Sequence, residues 1–389
     1  MNNAKNEKVN LLPKKKICFV VSSPKTVRAF LQNHIRALAI YYDVYLVANF
    51  ENESPSIFNS LPLKEIKDIP IPREINLLND VKALISLRSY FKEMKFDIVH
   101  TVTPKAGLLG GFASRLAGIK KRIHIFTGQV WHTKTGLFKR MLMLLDRFIV
   151  WNATDILVDG ESQRQFLIKN SIVKDANSFV LGKGSISGVD TNRFVPNESV
   201  KSEVRDELGI QESEVVFMFL GRMNLDKGIN ELADSFNRLQ KKHLNVRLLI
   251  VGRDEGNMIP VVKKKVENND SIIFYGETPT PERLLQACDI FCLPSYREGF
   301  GTSVIEASLL EKPVICSDTY GLMETIIDNV TGLRHKVSSV ESLFLQMETL
   351  VNNLKLREKL GKGGRKYVID NFSSEMITQK WLEFHKKNL

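Results

Sequence analysis

Two cations lie in a glycine-bounded segment whose residue types suit phosphate binding. Arg222 and Lys227 occur in the sequence GRMNLDKG, which follows the apolar run VVFMFL. The run predicts a strand and residues 229–240 predict a helix, so both cations are expected at the carboxyl end of a strand, where α/β sheets bind ligands. Two fixed cations beside a helix N-terminus would hold a diphosphate and neutralise its charge as it leaves. Taken alone, the pair is also consistent with surface charges in a loop.

A second segment, PSYREGFGTSVIEA at residues 294–307, combines glycines with two carboxylates. It follows the strand-like run DIFCLP and leads into a helix, and Gly299 and Gly301 let backbone N–H groups come close to an anion. Glu298 lies in the loop and Glu306 about one turn inside the helix, so both carboxylates could point into one pocket. The alternative is a helix-start acid and a solvated acid with no shared task.

Strand-like and helix-like patterns alternate along the chain and predict the elements that carry these residues. Runs such as ICFVVS, DVYLVANF, DIVHTV and RIHIF alternate with helical patterns in the first half, and VVFMFL, VRLLIV, SIIFYG and PVIC do so in the second. This alternation predicts two Rossmann-like parallel sheets. The turn-rich stretch around residues 182–196 predicts a linker, so the domains are expected at 1–190 and 191–373. A last helix is predicted at about 374–389, capped by Ser373 or Ser374.

The bulk composition excludes several classes of protein. The 389 residues suffice for two domains, and 43% hydrophobic with 25% charged residues indicates an ordinary globular chain. The net charge of +11 favours anionic partners, but the basic residues form no recognisable nucleic-acid module, so nucleic acid is not expected as a partner. The cysteines are expected to be small buried thiols in a reducing cytoplasm, without a zinc site. They are Cys18, Cys288, Cys292 and Cys316.

One amphipathic stretch could contact a membrane. Residues 136–151, GLFKRMLMLLDRFIVW, form the most lipophilic helical pattern in the chain, but four charged residues interrupt it. It is therefore not expected to span a bilayer, although it could lie on an anionic surface. A core helix would give a similar pattern.

Taken in order, the motifs resemble those of one family. GRxxxxKG, then VG at 251–252, SxxEGFGxxxxEA, PVI and TGL, together with the linker phrase SGVDTNRFVP, resemble the retaining GT-B glycosyltransferases of family 4, in their CapM-like subgroup. The resemblance implies an α/β GT-B fold, with two Rossmann-like domains facing a central cleft and a C-terminal helix that crosses back to the first domain. It also implies that the second domain binds a nucleotide sugar while the acceptor approaches from the first.

Roles follow from the resemblance position by position. Arg222 and Lys227 would contact the donor diphosphate, Glu306 the ribose hydroxyls, and Glu298 the transferred sugar. Carboxylates accept hydrogen bonds from vicinal hydroxyls, and Arg and Lys bind phosphate, so the chemistry agrees. The other implied donor-binding positions are Gly299, Phe300, Gly301, Thr302 and Ser303.

The first domain departs from the family pattern. Where many members have a His-Gly pair, this chain has TGQVWH at residues 127–132. His132 is therefore either a replacement that contacts the sugar in catalysis or an ordinary loop histidine. Lys25, Lys105 and Thr127 are candidates for the acceptor side, although the loop around Lys105 could equally be a solvated one. No GxGxxG follows the first strand, which disfavours a dehydrogenase.

The expected activity is transfer of a sugar, with retention, from a nucleotide diphosphate sugar, with UDP as the expected nucleotide. The implied acceptor is a polyprenyl-diphosphate-linked saccharide or another glycan in bacterial O-antigen or capsule biosynthesis. The resemblance also implies that a diphosphate oxygen takes the acceptor proton. Without an Asp-x-Asp pair, neither a divalent metal nor a cofactor besides the donor is expected. The alternatives are a GT-B-fold nucleotide-sugar epimerase and a non-catalytic sugar-nucleotide-binding scaffold. The expected location is cytoplasmic and peripheral, at the inner face of the cell membrane.

Overall fold

The computed structural model describes residues 13–51, 53–72 and 76–388. The chain divides into two compact units. Unit 1 comprises Met1–His124 and Trp151–Asp155, and unit 2 comprises Ile125–Val150 and Ile156–Leu389.

The first sheet is built from seven of the described strands, in the order β3-β2-β1-β4-β5-β6-β7, and the register of β1 with β2 and with β4 is parallel. Its strands are β1 Lys16–Val21, β2 Asp43–Ala48, β3 Glu65–Asp68, β4 Ile98–Val102, β5 Lys121–Phe126, β6 Asp155–Val158 and β7 Ser178–Val180. The second sheet has six described strands in the order β10-β9-β8-β11-β12-β13, again parallel. They are β8 Val215–Leu220, β9 Val246–Val251, β10 Ile272–Gly276, β11 Ile290–Leu293, β12 Val314–Ser317 and β13 Leu333–His335.

Helices connect the parallel strands, as crossover connections require. In unit 1 and around the first sheet they are α1 Pro24–Thr26, α2 Gln32–Leu38, α3 Leu77–Met94, α4 Pro104–Leu116, α5 Gly136–Asn152 and α6 Glu161–Lys169. Those that follow are α7 Glu198–Glu207, α8 Ile229–Gln240, α9 Met258–Lys265, α10 Pro281–Ala287, α11 Thr302–Leu309, α12 Val340–Val351, α13 Leu354–Phe372 and α14 Ser374–Asn388. Two Rossmann-like parallel sheets confirm the predicted GT-B architecture.

The central strands are buried on both faces because helices cover them. Every residue of β4, β6, β11 and β12 is buried, which explains why these strands read as continuous apolar runs. The four cysteines are free thiols and all are buried, as predicted.

The last helix returns to the first sheet. The Ser373 hydroxyl accepts the Met376 N–H at 3.3 Å and caps α14. Within α14, the Trp381 indole N–H donates to the Ile186 carbonyl at 3.0 Å, and the Phe384 ring packs edge-on to Phe179 of β7. All of these contacts lie within unit 2.

Sequence patterning missed three short strands, β3, β7 and β13. The strand β3 reads EIKD and its residues are at most half-buried, so it has no apolar run for a pattern to detect. Within the described residues, every helix is too short or too polar to cross a membrane.

Candidate functional site

The candidate site lies at the switch point of the second sheet. Strand order reverses direction between the neighbours β8 and β11. Open α/β sheets bind ligands in the crevice at the carboxyl edge of such a switch point, where the loops that follow these two strands lie. These loops contain the two motifs predicted from the sequence, at residues 221–228 and 294–301.

Lys227 and Glu298 meet across this crevice. The Lys227 ammonium forms an ion pair with Oε1 of Glu298, and the Ser295 hydroxyl donates to the same oxygen at 2.7 Å. Only 16% of the Lys227 side chain and 12% of the Glu298 side chain is exposed, so water screens the pair weakly. The predicted diphosphate-binding cation and the predicted sugar-facing carboxylate are thus one charge pair.

Further contacts fix the two loops to each other. The Arg297 guanidinium donates to Oδ2 of Asp226 through Nε at 2.9 Å and Nη2 at 2.8 Å, and the Tyr296 N–H donates to the Asp226 carbonyl at 2.8 Å. Gly228 has φ +67° and lies so close to the Pro294 carbonyl that a Cβ would overlap it. Only glycine fits both the conformation and the approach. The charge pair is therefore held on rigid backbone.

Arg222 lies in a different environment from Lys227. Its side chain is 51% exposed, and Nη1 donates to Oε2 of Glu255, in the loop after β9, at 3.0 Å. This exposed pair is weak and can exchange for a better anion at low cost.

The loop at residues 294–301, called the glycine loop below, packs against several other segments of unit 2. A Cβ on Gly299 would overlap the Thr127 carbonyl and would lie 2.6 Å from Oδ2 of Asp159. The N–H of Gly301 donates to the Gly321 carbonyl at 3.1 Å. Phe300 is only 9% exposed and its ring packs on Phe372, so its side chain is part of the core.

At the start of α11, one backbone N–H group already has a hydrogen-bond partner. The Thr302 N–H donates to the Phe300 carbonyl at 2.9 Å. An anion at this helix start would therefore meet the half-buried side chains of Thr302 and Ser303 rather than the N–H of Thr302.

Glu306 occupies a half-buried position in the second turn of α11. Loss of hydration raises the pKa of its carboxyl to about 7, and the charge of nearby Arg193 opposes that rise. Hydrogen-bond donors of a ligand would stabilise the charged form of this carboxylate.

His132 lies in an aromatic cluster in unit 2. Its ring meets Phe166 and Tyr320 edge-on, with centroids 4.9 and 5.1 Å away, and those two rings stack at 4.2 Å. Burial lowers the pKa of His132, Lys139 and Arg297 lower it further, and Asp226 raises it. A neutral imidazole is thus placed near the loops that carry Lys227 and Glu298.

In unit 1, Lys25 and Lys105 follow the strands that flank the switch point of the first sheet, β1 and β4, whereas Thr127 belongs to unit 2 and packs against Gly299. The Ser22 and Thr103 hydroxyls are hydrogen-bonded at 3.0 Å, and Thr103 has the unusual φ of +79°. Lys105 pairs with Asp80 at 2.7 Å, and both side chains are largely buried. Lys25 lies exposed in the short helix after β1.

Sequence reasoning missed several polar residues around the glycine loop. Glu324 accepts hydrogen bonds from both the N–H and the hydroxyl of Ser162, and the Gly321 N–H donates to that hydroxyl at 3.0 Å. Asp159 is 5% exposed beside Gly299. Asp159 does follow a predicted strand directly, and that position is the one signal in the sequence that could have identified it.

Helix α5 presents an apolar surface. Leu137 is 81% exposed, Leu144 60% and Phe138 52%. Arg140 is exposed beside them, whereas Arg147 donates to the carbonyls of Ser171 and Asn170.

Comparisons with known proteins agree on one family. Residues 200–367 match the family described as glycosyl transferases group 1, and residues 61–182 match the glycosyl transferase 4-like domain. The capsular polysaccharide biosynthesis glycosyltransferase CapM of Staphylococcus aureus is 30% identical over 340 residues, which cover 87% of this chain and 88% of CapM.

Two further proteins match over nearly their whole length. The N,N'-diacetylbacillosaminyl-diphospho-undecaprenol alpha-1,3-N-acetylgalactosaminyltransferase of Campylobacter jejuni is 26% identical over 96% of this chain and 98% of that protein. The crystal structure of Anabaena HepE in complex with UDP and glucose has a TM-score of 0.80 at 18% identity and covers 96% of this chain and 100% of that one.

Proposed function

Because this chain belongs to the family 4, group 1 glycosyltransferases of GT-B fold, we propose that it transfers a sugar from a UDP-sugar, with retention, to a polyprenyl-diphosphate-linked saccharide or a related glycan in polysaccharide biosynthesis. The observation that carries the proposal is the Lys227–Glu298 ion pair at the switch point of the second sheet. UDP is proposed because HepE was crystallised with it, and the acceptor because the Campylobacter relative acts on a diphospho-undecaprenol saccharide.

The charge pair suits a donor whose diphosphate and sugar are adjacent. Lys227 offers an ammonium to the diphosphate, while Glu298, already held by the Ser295 hydroxyl, accepts hydrogen bonds from sugar hydroxyls. Arg222 exchanges its exposed partner Glu255 for phosphate. As the bond to the sugar breaks, negative charge grows on the diphosphate, and the fixed cations stabilise it without reorganisation. Side-chain cations in this role leave no requirement for a divalent metal.

The remaining residues of unit 2 position the donor. Glu306 accepts the ribose hydroxyls, and Thr302 and Ser303 contact phosphate at the start of α11. His132, neutral because its pKa is lowered, donates to or accepts from the transferred sugar. The acceptor hydroxyl attacks on the face that the diphosphate leaves, and a diphosphate oxygen takes its proton, so Glu298 need not act as a strong base.

In unit 1, Lys25 and Lys105 serve the acceptor side. In unit 2, Thr127 is a separate candidate for acceptor binding. The Ser22 and Thr103 hydroxyls and the cations around the switch point of the first sheet suit an anionic group such as a lipid-linked diphosphate. We propose that the protein lies at the inner face of the membrane; the exposed apolar side chains of α5, with Arg140 beside them, support this proposal.

A transfer assay tests the proposal. UDP-, GDP-, ADP- and dTDP-sugars are first screened by thermal shift, because a ligand at 100 times its Kd adds about 2.7 kcal/mol of stability. The stabilising donor is then incubated with an undecaprenyl-diphosphate-linked saccharide, with and without EDTA. We expect a product one sugar heavier by mass spectrometry, with the donor's anomeric configuration by NMR, and equal yield in EDTA.

Each contrary result removes a defined part of the proposal. Conversion of the donor alone into a different sugar nucleotide would indicate an epimerase. Inversion of the anomeric configuration would refute retention. Loss of activity in EDTA with rescue by magnesium would show that a metal carries the diphosphate charge.

A further inference from the structure

Asp159 is a buried carboxyl that no step above uses, and it packs on the loop that carries Glu298. It follows β6 and is 5% exposed. Its Oδ2 would lie 2.6 Å from a Cβ on Gly299, so the carboxyl lies directly against the backbone of the residue after Glu298. Any change in the charge of Asp159 acts first on this loop.

Hydrogen bonds hold Asp159 from two other segments. The Ile186 N–H donates to its carboxyl. The Ser185 N–H donates to its carbonyl at 2.6 Å, and its own N–H donates to Oε1 of Gln163 at 2.7 Å. Asp159 thus joins the end of β6, the turn at 184–186 and the glycine loop, all within unit 2.

The charged groups near Asp159 do not neutralise it. Glu298 faces it from the glycine loop, and Lys227 is already paired with Glu298. Glu324 lies against Gly160, the next residue in the chain, with its carboxylate bonded to Ser162.

Arg164 of α6, like Lys227, is already paired with a carboxylate. In α6, Glu161 pairs with Arg164, and the turn at 184–186 contributes the Ile186 N–H. Within the described part of the chain, Asp159 has no salt bridge. Burial, opposed by the Ile186 N–H and assisted by the charge of Glu298, raises the pKa of Asp159 to about 8.

We propose that Asp159 is a positioning residue: its uncharged carboxyl keeps the Glu298–Gly299 loop against it, and its ionisation drives Glu298 away from Lys227 and from the donor sugar. The inference rests on the proposed role of Glu298 in sugar transfer. Two adjacent carboxylates cannot both ionise in a buried site without repulsion. The loop, which has no room for movement toward Thr127, would yield by displacing Glu298.

The test compares pH profiles of turnover for the wild type, Asp159→Asn and Asp159→Ala. Wild-type kcat should be about tenfold lower at pH 9 than at pH 7, as expected for one essential uncharged group with a pKa near 8. Asp159→Asn keeps the shape and the neutral form, so it should retain most of the turnover at pH 7 and lose this alkaline decline. Asp159→Ala should be slow at both pH values.

Asp146→Asn is the matched control. Asp146 is 7% exposed, accepts the Trp131 indole N–H at 2.7 Å and has its pKa raised to about 6 by burial. This variant should keep the wild-type alkaline decline. An unchanged decline in Asp159→Asn would overturn the inference, and absence of any sugar transfer by the wild type would instead refute the proposed function.

Thermal stability gives a second readout that does not depend on catalysis. Because the pKa of folded Asp159 is raised above that of the unfolded chain, its stabilising effect belongs to low pH and is lost as pH rises toward 8. The Tm of the wild type minus that of Asp159→Asn should therefore decrease as the pH is raised from 5 to 8. A constant difference over this range would also overturn the inference.

Discussion

Both sheets carry a lysine–carboxylate pair near their switch points, and the two pairs connect different elements. In the second sheet, Lys227 and Glu298 come from the two loops that flank the crevice, so the pair ties those loops together. In the first sheet, Lys105 pairs with Asp80 of α3, and the Ser22 and Thr103 hydroxyls join the loops after β1 and β4. A ligand at the second site must compete with Glu298 for the Lys227 ammonium, which lies between the two loops. At the first site, the Lys105 ammonium is held by Asp80 of α3, which belongs to neither loop.

This difference suits the two substrates proposed. Negative charge on the donor diphosphate grows during the reaction. The Lys227 ammonium, already held in place by Glu298, stabilises that charge without reorganisation. The acceptor diphosphate does not change its charge, so it needs only binding. Variants of the two lysines should therefore affect different kinetic constants.

The largest effect is expected at Lys227. Lys227→Ala removes a preorganised electrostatic donor and should lower kcat by roughly 10²–10³ at saturating donor. Initial-rate kinetics measure this, and Lys265→Ala, which breaks an ordinary surface pair with Asp234, is the control and should be near wild type. Turnover of Lys227→Ala within a few-fold of the control would remove Lys227 from the diphosphate site.

At Lys105, the effect should appear in acceptor binding. Loss of one charge-assisted hydrogen bond costs about 1.5–3 kcal/mol, so Lys105→Ala should raise the acceptor KM about 10–100-fold. The donor KM should not change. An equal rise in both constants would mean that the substitution disturbs the fold of unit 1, and an unchanged acceptor KM would show that this switch point does not hold the acceptor.

Glu306 should make donor affinity depend on pH. Because its pKa is raised to about 7, the carboxyl is protonated below that pH and loses its capacity to accept both ribose hydroxyls. Donor affinity of the wild type should rise about tenfold from pH 6 to pH 8, as the carboxyl ionises. Glu306→Gln should bind donor with little pH dependence, as should the wild type with a 2′,3′-dideoxy nucleotide; a steep profile in either would contradict the ribose assignment.

The smallest effect is expected on membrane binding. Leu137→Glu with Leu144→Glu places two anions on the exposed face of α5 and should reduce sedimentation with anionic vesicles several-fold, because it removes apolar contact with the lipid and adds charges that the anionic surface repels. Leu244→Glu changes a leucine that is 90% exposed elsewhere and should have no effect. Binding by the wild type should weaken with salt. Arg147 is left unchanged in this test because it holds the turn after α6.

The sequence predicted the parts of the site that are local. Lys227 and Glu298 each follow an apolar strand within a few residues, so strand patterning placed both at a sheet edge. It could not place Ser162 against Glu324, because 162 residues separate them and neither follows a motif. Asp159 was missed for a related reason: its neighbours Ile186 and Gly299 come from distant segments.

The exposed stripe of α3, where Leu77 and Leu78 are both 77% exposed, also breaks the rule that apolar residues face the core.

The most direct test of the division between the two switch points is a calorimetric titration of UDP into the wild type, Lys227→Met and Lys105→Met. Methionine keeps an unbranched side chain only one atom shorter than that of lysine, and removes the charge together with its hydrogen-bond donors. We expect Lys227→Met to bind UDP at least about tenfold more weakly, because a charge-assisted hydrogen bond to phosphate is lost, and Lys105→Met to bind it as the wild type does. Equal weakening in both variants, or weakening in Lys105→Met alone, would contradict the assignment of the donor to the second sheet.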